Sequence, residues 1–165
     1  MLELAAQDKD LHKRMAYVAA YCATRFSSVI GRKQKPFNSL LGETYELVTS
    51  KYRYISEQVS HHPPVCAYHC ENQFYEVFTQ ASTSLRFNGR YVLFAPNDKV
   101  YITLALADGS RECYSTTLPA TSVHNLIIGK MYVDVVGKST IVNHTRGIEA
   151  VLILKERGWS GKNPH

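Results

Sequence analysis

A mainly β fold of antiparallel barrel or sandwich type, entered through an amphipathic helix, is what this chain of 165 residues predicts. Three observations carry the prediction. An apolar stripe at helical spacing runs through the first 27 residues. After residue 40, short segments rich in Tyr, Val, Ile, Phe and Thr follow one another with frequent turns. No second helical pattern interrupts them, which argues against an alternating parallel α/β arrangement.

The helix comes first, over about residues 4–27. Leu4, Leu11, Met15, Val18, Cys22 and Phe26 recur at steps of seven, four, three, four and four, while Lys13, Arg14 and Arg25 stand mostly off that stripe. Asp8 or Asp10 is placed to cap a helix running to about Phe26. The stripe reads as a helix packed on the core rather than one lying on a membrane. Ser and β-branched residues at 27–30, then Gly31 and Pro36, end the pattern.

The β-rich part spans 43–155. Strands are expected over 43–48, 52–60, 64–70, 73–81, 83–94, 99–106, 111–117, 131–136, 139–144 and 149–155. Many alternate apolar with polar, as in Tyr101-Ile102-Thr103-Leu104-Ala105-Leu106. Asp108-Gly109 between two runs is a two-residue hairpin signal. Asn88-Gly89 looks like another, although a glycine inside a long strand also marks a bulge.

One domain accounts for this length. The apolar fraction of 45% and charged fraction of 20% are those of a globular protein, not a disordered or fibrous one. No apolar stretch approaches the ~18 residues that cross a bilayer. The N-terminus lacks the zones of a secretory signal. Cys22, Cys66, Cys70 and Cys113 do not form a disulfide framework, so the chain reads as cytoplasmic and reduced, with any membrane contact peripheral. The net charge of +5 is concentrated early, because residues 1–35 hold seven Lys and Arg against three acidic residues. Such a balance suits nucleic acid, an anionic membrane surface or a phosphorylated small ligand, or serves solubility alone. No nucleic-acid recognition motif is legible, and the eleven tyrosines read as strand residues.

Glu57-Gln58-Val59-Ser60-His61-His62-Pro63-Pro64 is the most unusual stretch. The two prolines stiffen the backbone at a strand end and bias His62 towards extended conformations. An imidazole beside a phosphate is favoured as the doubly donating cation. Adjacent strand residues face opposite ways, so both histidines reach one ligand only if the strand ends or twists there. The alternative is a strand edge where the prolines simply stop pairing. A second candidate is Lys35-Pro36-Phe37-Asn38, leading into Leu40-Leu41-Gly42-Glu43. There a fixed positive charge precedes an amide able to orient a ligand oxygen. Its alternative is a solvated basic loop.

His61, His62, Cys66, His69 and Cys70 are the atom types of a zinc site, but every fourth residue of a strand is ~13 Å apart, which suits no tetrahedral metal. A catalytic reading finds no nucleophile elbow, and phosphate-cradling glycine loops of the nucleotide-binding types are absent. No cofactor is implied.

The run at 57–64 resembles the fingerprint of the oxysterol-binding-protein family. The resemblance extends through Arg14-Met15-Ala16-Tyr17-Val18-Ala19-Ala20 and Lys35-Pro36-Phe37-Asn38-Ser39-Leu40-Leu41-Gly42-Glu43-Thr44-Tyr45-Glu46. It continues in Val123-His124-Asn125-Leu126-Ile127-Ile128-Gly129-Lys130 and in Gly158-Trp159-Ser160-Gly161-Lys162-Asn163, all in family order. It implies an incomplete antiparallel β-barrel with a lipid tunnel, of which residues 1–165 form a part, the lid and C-terminal part lying outside them.

It also implies lipid binding and non-vesicular transfer between membranes, without covalent chemistry. A sterol or other lipid occupies the tunnel, and phosphatidylinositol 4-phosphate is the exchanged ligand. A lipid-sensing regulatory scaffold is the other reading. By the same resemblance, Lys35, Asn38, His61 and His62 match headgroup contacts at the tunnel entrance. Ser39 stands where the family usually has a second proline, and Asn88 replaces an aromatic common before that glycine.

Overall fold

The computed structural model describes residues 1–29 and 37–156. Two helices open it: α1 over Leu2–Gln7 and α2 over Leu11–Thr24, followed by a 3-10 turn at Arg25–Val29. The single helix expected over 4–27 is therefore divided. Asp8 is extended, and its carboxylate accepts from the Asp10 backbone N–H at 2.8 Å. Asp10 then caps α2, accepting from the N–H groups of His12 and Lys13 at 2.8 and 2.9 Å. Those bonds break one helix and start the next. Met15, Val18 and Cys22 face the core as the stripe predicts, whereas Leu4 is 51% exposed and Leu2, Ala5 and Ala6 are buried in its place.

Among the described residues ten strands follow: β1 Thr44–Val48, β2 Arg53–His61, β3 Pro64–Glu71, β4 Tyr75–Phe87, β5 Tyr91–Pro96, β6 Val100–Ala105, β7 Arg111–Thr116, β8 Ala120–His124, β9 Tyr132–Asn143 and β10 Ile148–Leu154. All pairings are antiparallel. β5 and β6 are successive halves of one path along β4, since Pro96 opposes Thr83 and Tyr101 opposes Phe78 with no slip across the corner at 97–99. β7 and β8 are likewise halves of one path along β9, with a one-residue slip between Thr116↔Ile141 and Ala120↔Val136.

The sheet is thus a meander whose middle strands bend, leaving β1 and β10 as its edges among the described residues. Asp108-Gly109 turns the chain between β6 and β7 with Gly109 at φ 83°. Asn88-Gly89 turns it between β4 and β5, so the segment expected as one strand over 83–94 is two. The strands expected at 131–136 and 139–144 are the single β9, continuous through Gly137, and β8 lies where the sequence pattern predicts no strand.

The curved sheet holds the helices on its concave face. Val77, Val100, Ile102, Leu104, Tyr114 and Ile141 from the sheet meet Leu2, Ala5, Met15, Val18 and Cys22 from the helices in one buried cluster. A buried ion pair, Arg14 with Glu112, is embedded there. Glu112 on β7 is fully buried, and its carboxylate accepts from Arg14 of α2, Tyr114, Asn143 and Arg146 at 2.6–3.2 Å. Arg14 also donates to the carbonyls of Asp8 and Lys9 at 3.0 Å, fixing the break between the helices to the sheet.

Candidate functional site

The histidine run lies at the end of β2. Pairing with β3 proceeds from Arg53↔Glu71 to Gln58↔Cys66, is interrupted at Val59, and resumes as Ser60↔Val65 and His61↔Pro64. One extra residue reverses the alternation of the strand beyond it. His61 therefore shares the face of Cys66 and Tyr68, which is the concave face, instead of joining Glu57 on the other side. The strand ends there. His62 occupies the turn before Pro63, across a cis peptide bond.

The two imidazoles stand edge to face with ring centroids 4.6 Å apart. The condition set by the sequence, that the strand end or twist so both rings can meet one ligand, is satisfied by bulge and turn together. The backbone around them is braced. Gln58, nearly buried, donates its amide to the Ser60 carbonyl at 2.8 Å, and the Ser60 hydroxyl donates to the Pro63 carbonyl at 2.7 Å. His61 is half-buried with its Nδ1 occluded and, among the described residues, without a hydrogen-bond partner; His62 is exposed.

The loop carrying Asn38 joins the same end of β2. The Glu43 carboxylate accepts from the Leu40 N–H at 2.7 Å, and Gly42, at φ 77°, donates its N–H to the Gln58 carbonyl at 2.9 Å. Gln58 returns its own N–H to the Glu43 carbonyl at 3.1 Å. This ties the loop to a residue three positions from His61. Asn38 is exposed on that loop, and Lys35 lies outside the described residues.

Beside the histidine turn the concave face is apolar. Val65 opposes Ser82 on β4, so the turn sits at the middle of that long strand. Beyond this point the face that carries Val77 carries Leu85 and Phe87, paired with Phe94 and Val92 and continued across β8 by Val123. Leu85 and Phe87 are 65% and 66% exposed. Towards the helices the floor is aromatic. Tyr54 and Tyr68 lie 5.9 Å apart, nearly parallel, and the Arg25 guanidinium sits 6.0 Å from the Tyr68 ring centroid. Burial pushes the hydroxyls of Tyr21 and Tyr68 up, keeping them neutral donors. Tyr54, Tyr68, Leu85, Phe87 and Phe94 are not candidate site residues in the sequence, although the alternation along β4 carries the signal for Leu85 and Phe87.

The arrangement suits an amphiphile, with hydrocarbon against the apolar wall and an anionic head at the histidine rim. Among the described residues, no three His, Cys, Asp or Glu gather as a metal-ion site. Cys66 and His69 face opposite ways on β3, and His69 Nε2 bonds Glu76 at 2.9 Å on the convex side. A separate hollow of about 550 Å³ occupies that convex face, between Ile55, Glu57, His69, Phe78, Lys99 and Tyr101. Among the described residues, no helix is long and apolar enough to cross a membrane.

A family model described as oxysterol-binding protein matches residues 1–165. Mouse oxysterol-binding protein-related protein 1 is 41% identical over 169 residues, covering 100% of this chain and 18% of that protein. Human oxysterol-binding protein-related protein 2 is 42% identical over 157 residues, covering 93% of this chain and 32% of the relative. The solved Osh1 ORD domain in complex with ergosterol superposes with a TM-score of 0.90 at 36% identity, over 95% of this chain and 38% of that one. The Osh3 ORD in complex with PI(4)P from Saccharomyces cerevisiae gives 0.86 at 28% identity, over 98% and 44%. The chain thus spans less than half the length of these relatives and structures.

Proposed function

The chain belongs to the oxysterol-binding protein family, and on that premise we propose that it supplies one wall and part of the headgroup rim of a lipid-binding domain, of which residues 1–165 are a portion. The observation that carries this reading is the paired imidazoles of His61 and His62, turned onto the apolar concave face by the bulge at Val59. A sterol or other lipid lies along the wall of Leu85, Phe87 and Phe94, where each Å² removed from water contributes ~25 cal/mol. Phosphatidylinositol 4-phosphate is the competing ligand. Its phosphate accepts charge-assisted hydrogen bonds from His61 and His62, Lys35 adds a fixed charge, and Asn38 orients a ring hydroxyl. The ergosterol and PI(4)P complexes of the similar Osh1 and Osh3 domains support both ligand classes.

Exchange of the two lipids at membrane surfaces on the cytoplasmic side is the activity that follows. No covalent step is proposed. Lys35 is assigned by the family pattern alone.

The test is lipid extraction from liposomes. His61→Ala with His62→Ala removes extraction of phosphatidylinositol 4-phosphate by at least about tenfold, the loss of one to two charge-assisted bonds, and leaves sterol uptake in place. Equal loss of both ligands would assign the pair a folding role and defeat the headgroup reading.

A further inference from the structure

The loop at 125–131, between β8 and β9, presents Ile127 and Ile128 at 88% and 84% exposure, flanked by Leu126 at 49% and Met131 at 41%. It is a built turn. Asn125 at φ 58° and Gly129 at φ 96° reverse the chain, and the Asn125 amide donates to the Lys130 carbonyl at 3.1 Å. A Cβ at Gly129 would come to 3.4 Å from that amide, so the clamp closes on a glycine. Beneath it, the His124 ring stacks on Tyr132 at 4.6 Å and meets Tyr91 at 4.8 Å. A stiff base thus holds the isoleucines outward, against the ordinary tendency of such residues to be buried.

The neighbourhood of the loop is cationic. Tyr91↔His124 and His124↔Tyr132 pairing puts the hairpin at 88–90 next to the loop. Arg86, Arg90 and Lys130 are all exposed, and the segments 85–91 and 124–132 contain no Asp or Glu. Position matters as well. The turn holding His61 and His62 lies beside Ser82, and β4 runs five residues further before reaching this hairpin, about 17 Å at strand rise. An apolar tip flanked by cations therefore stands beyond the histidine rim, further along β4.

We propose that the loop at 125–131 is a membrane-docking tip, in which Ile127 and Ile128 enter the interfacial layer of an anionic bilayer while Lys130, Arg90 and Arg86 meet its headgroups. Apolar burial combined with attraction to anionic lipid is the general basis of such interfacial binding. The proposal deepens the lipid-binding reading by naming the surface that faces the membrane, and it rests on that reading for its setting.

The experiment measures co-sedimentation of the full chain with vesicles of phosphatidylcholine alone or mixed with phosphatidylserine. Binding of a water-soluble short-chain phosphatidylinositol 4-phosphate is measured in parallel. Ile127→Ser with Ile128→Ser lowers partition onto the mixed vesicles by about tenfold or more, the loss expected for two buried isoleucines. Ile127→Leu with Ile128→Leu restores it, and both variants keep the short-chain ligand. Arg90→Glu with Lys130→Glu lowers partition onto the mixed vesicles and not onto phosphatidylcholine.

Unchanged partition for the serine variant overturns the proposal. So does a fall in its melting temperature, which would mean the loop is covered by another part of the protein, or a change of oligomeric state, which would mean a second copy covers it. Failure of the unaltered chain to bind the short-chain ligand while vesicle docking persists would instead sink the headgroup reading and leave the tip standing.

Discussion

At the scale of single residues, Glu112 has no contact with solvent and yet carries a charge. Burial by itself raises its pKa; the hydrogen bonds from Arg14, Tyr114 and Arg146 more than offset this and hold it at about 2, against an ordinary value of 4.5. A depressed carboxyl pKa stabilises the fold above the unfolded value, and the contribution disappears as pH falls through the folded value. The group therefore contributes roughly 3 kcal/mol at neutral pH, lost between pH 4.5 and about 2. Glu112→Gln leaves two arginines around a neutral amide and costs about 3–5 kcal/mol at neutral pH. Urea titrations across that pH window check both points: the variant lacks this component of the acid slope. A variant as stable as the unaltered chain would show that the cluster is dispensable. None of this is legible in the sequence. Glu112 reads as one polar residue of the strand expected over 111–117, and only the fold brings Arg14 and Arg146 to it.

At the scale of elements, the turns were legible and the corners were not. Asp108-Gly109 declares itself because a left-handed backbone favours glycine, and Gly109 sits at φ 83° with open space where a Cβ would stand. Gly109→Ala is accordingly a purely conformational substitution. It costs about 1–2 kcal/mol, read as a lower urea midpoint with unchanged slope. A midpoint equal to that of the unaltered chain would show that this turn tolerates a side chain. β8 escaped notice because Ala120-Thr121-Ser122-Val123-His124 has too few apolar residues to show alternation, its register coming from neighbours on both sides. The cap is legible, since Asp10 does start α2 as its residue type suggests; the separate α1 is not, because an i, i+3, i+4 stripe runs through Leu4 and Leu11 without marking a break between them.

The same limit applies to the candidate site. His61, His62 and Asn38 stand out as unusual residue types, and the structure brings their segments to one end of β2. Which face His61 takes depends on a one-residue bulge at Val59, which leaves no mark in composition. The apolar wall beside the histidines was equally hidden, because Leu85 and Phe87 read only as ordinary strand residues.

At the scale of the whole molecule, the sheet is a bent meander rather than a closed barrel, and its two edges decide how it behaves. Among the described residues β1 pairs with β2 alone and β10 with β9 alone. β10 alternates cleanly: Ile148, Ala150 and Leu152 pack on the core cluster, while Val151 and Ile153 are 49% and 64% exposed. Such an edge offers unpaired backbone groups beside an apolar outer face, which favours pairing with a further strand. In the longer relatives, where this length is well under half of the whole, further chain is available for that role.

The chain of 165 residues by itself is then expected to self-associate, with sedimentation velocity showing mass that grows with concentration. Val151→Lys with Ile153→Lys places two charges on the outer face of that edge without touching the inward residues. It shifts the population to monomer and leaves the thermal midpoint unchanged. A chain that is monomeric at every concentration would show that the edges are already protected. Association that survives the lysine pair would move the contact to β1, where Val48 is 74% exposed and Tyr45 59%.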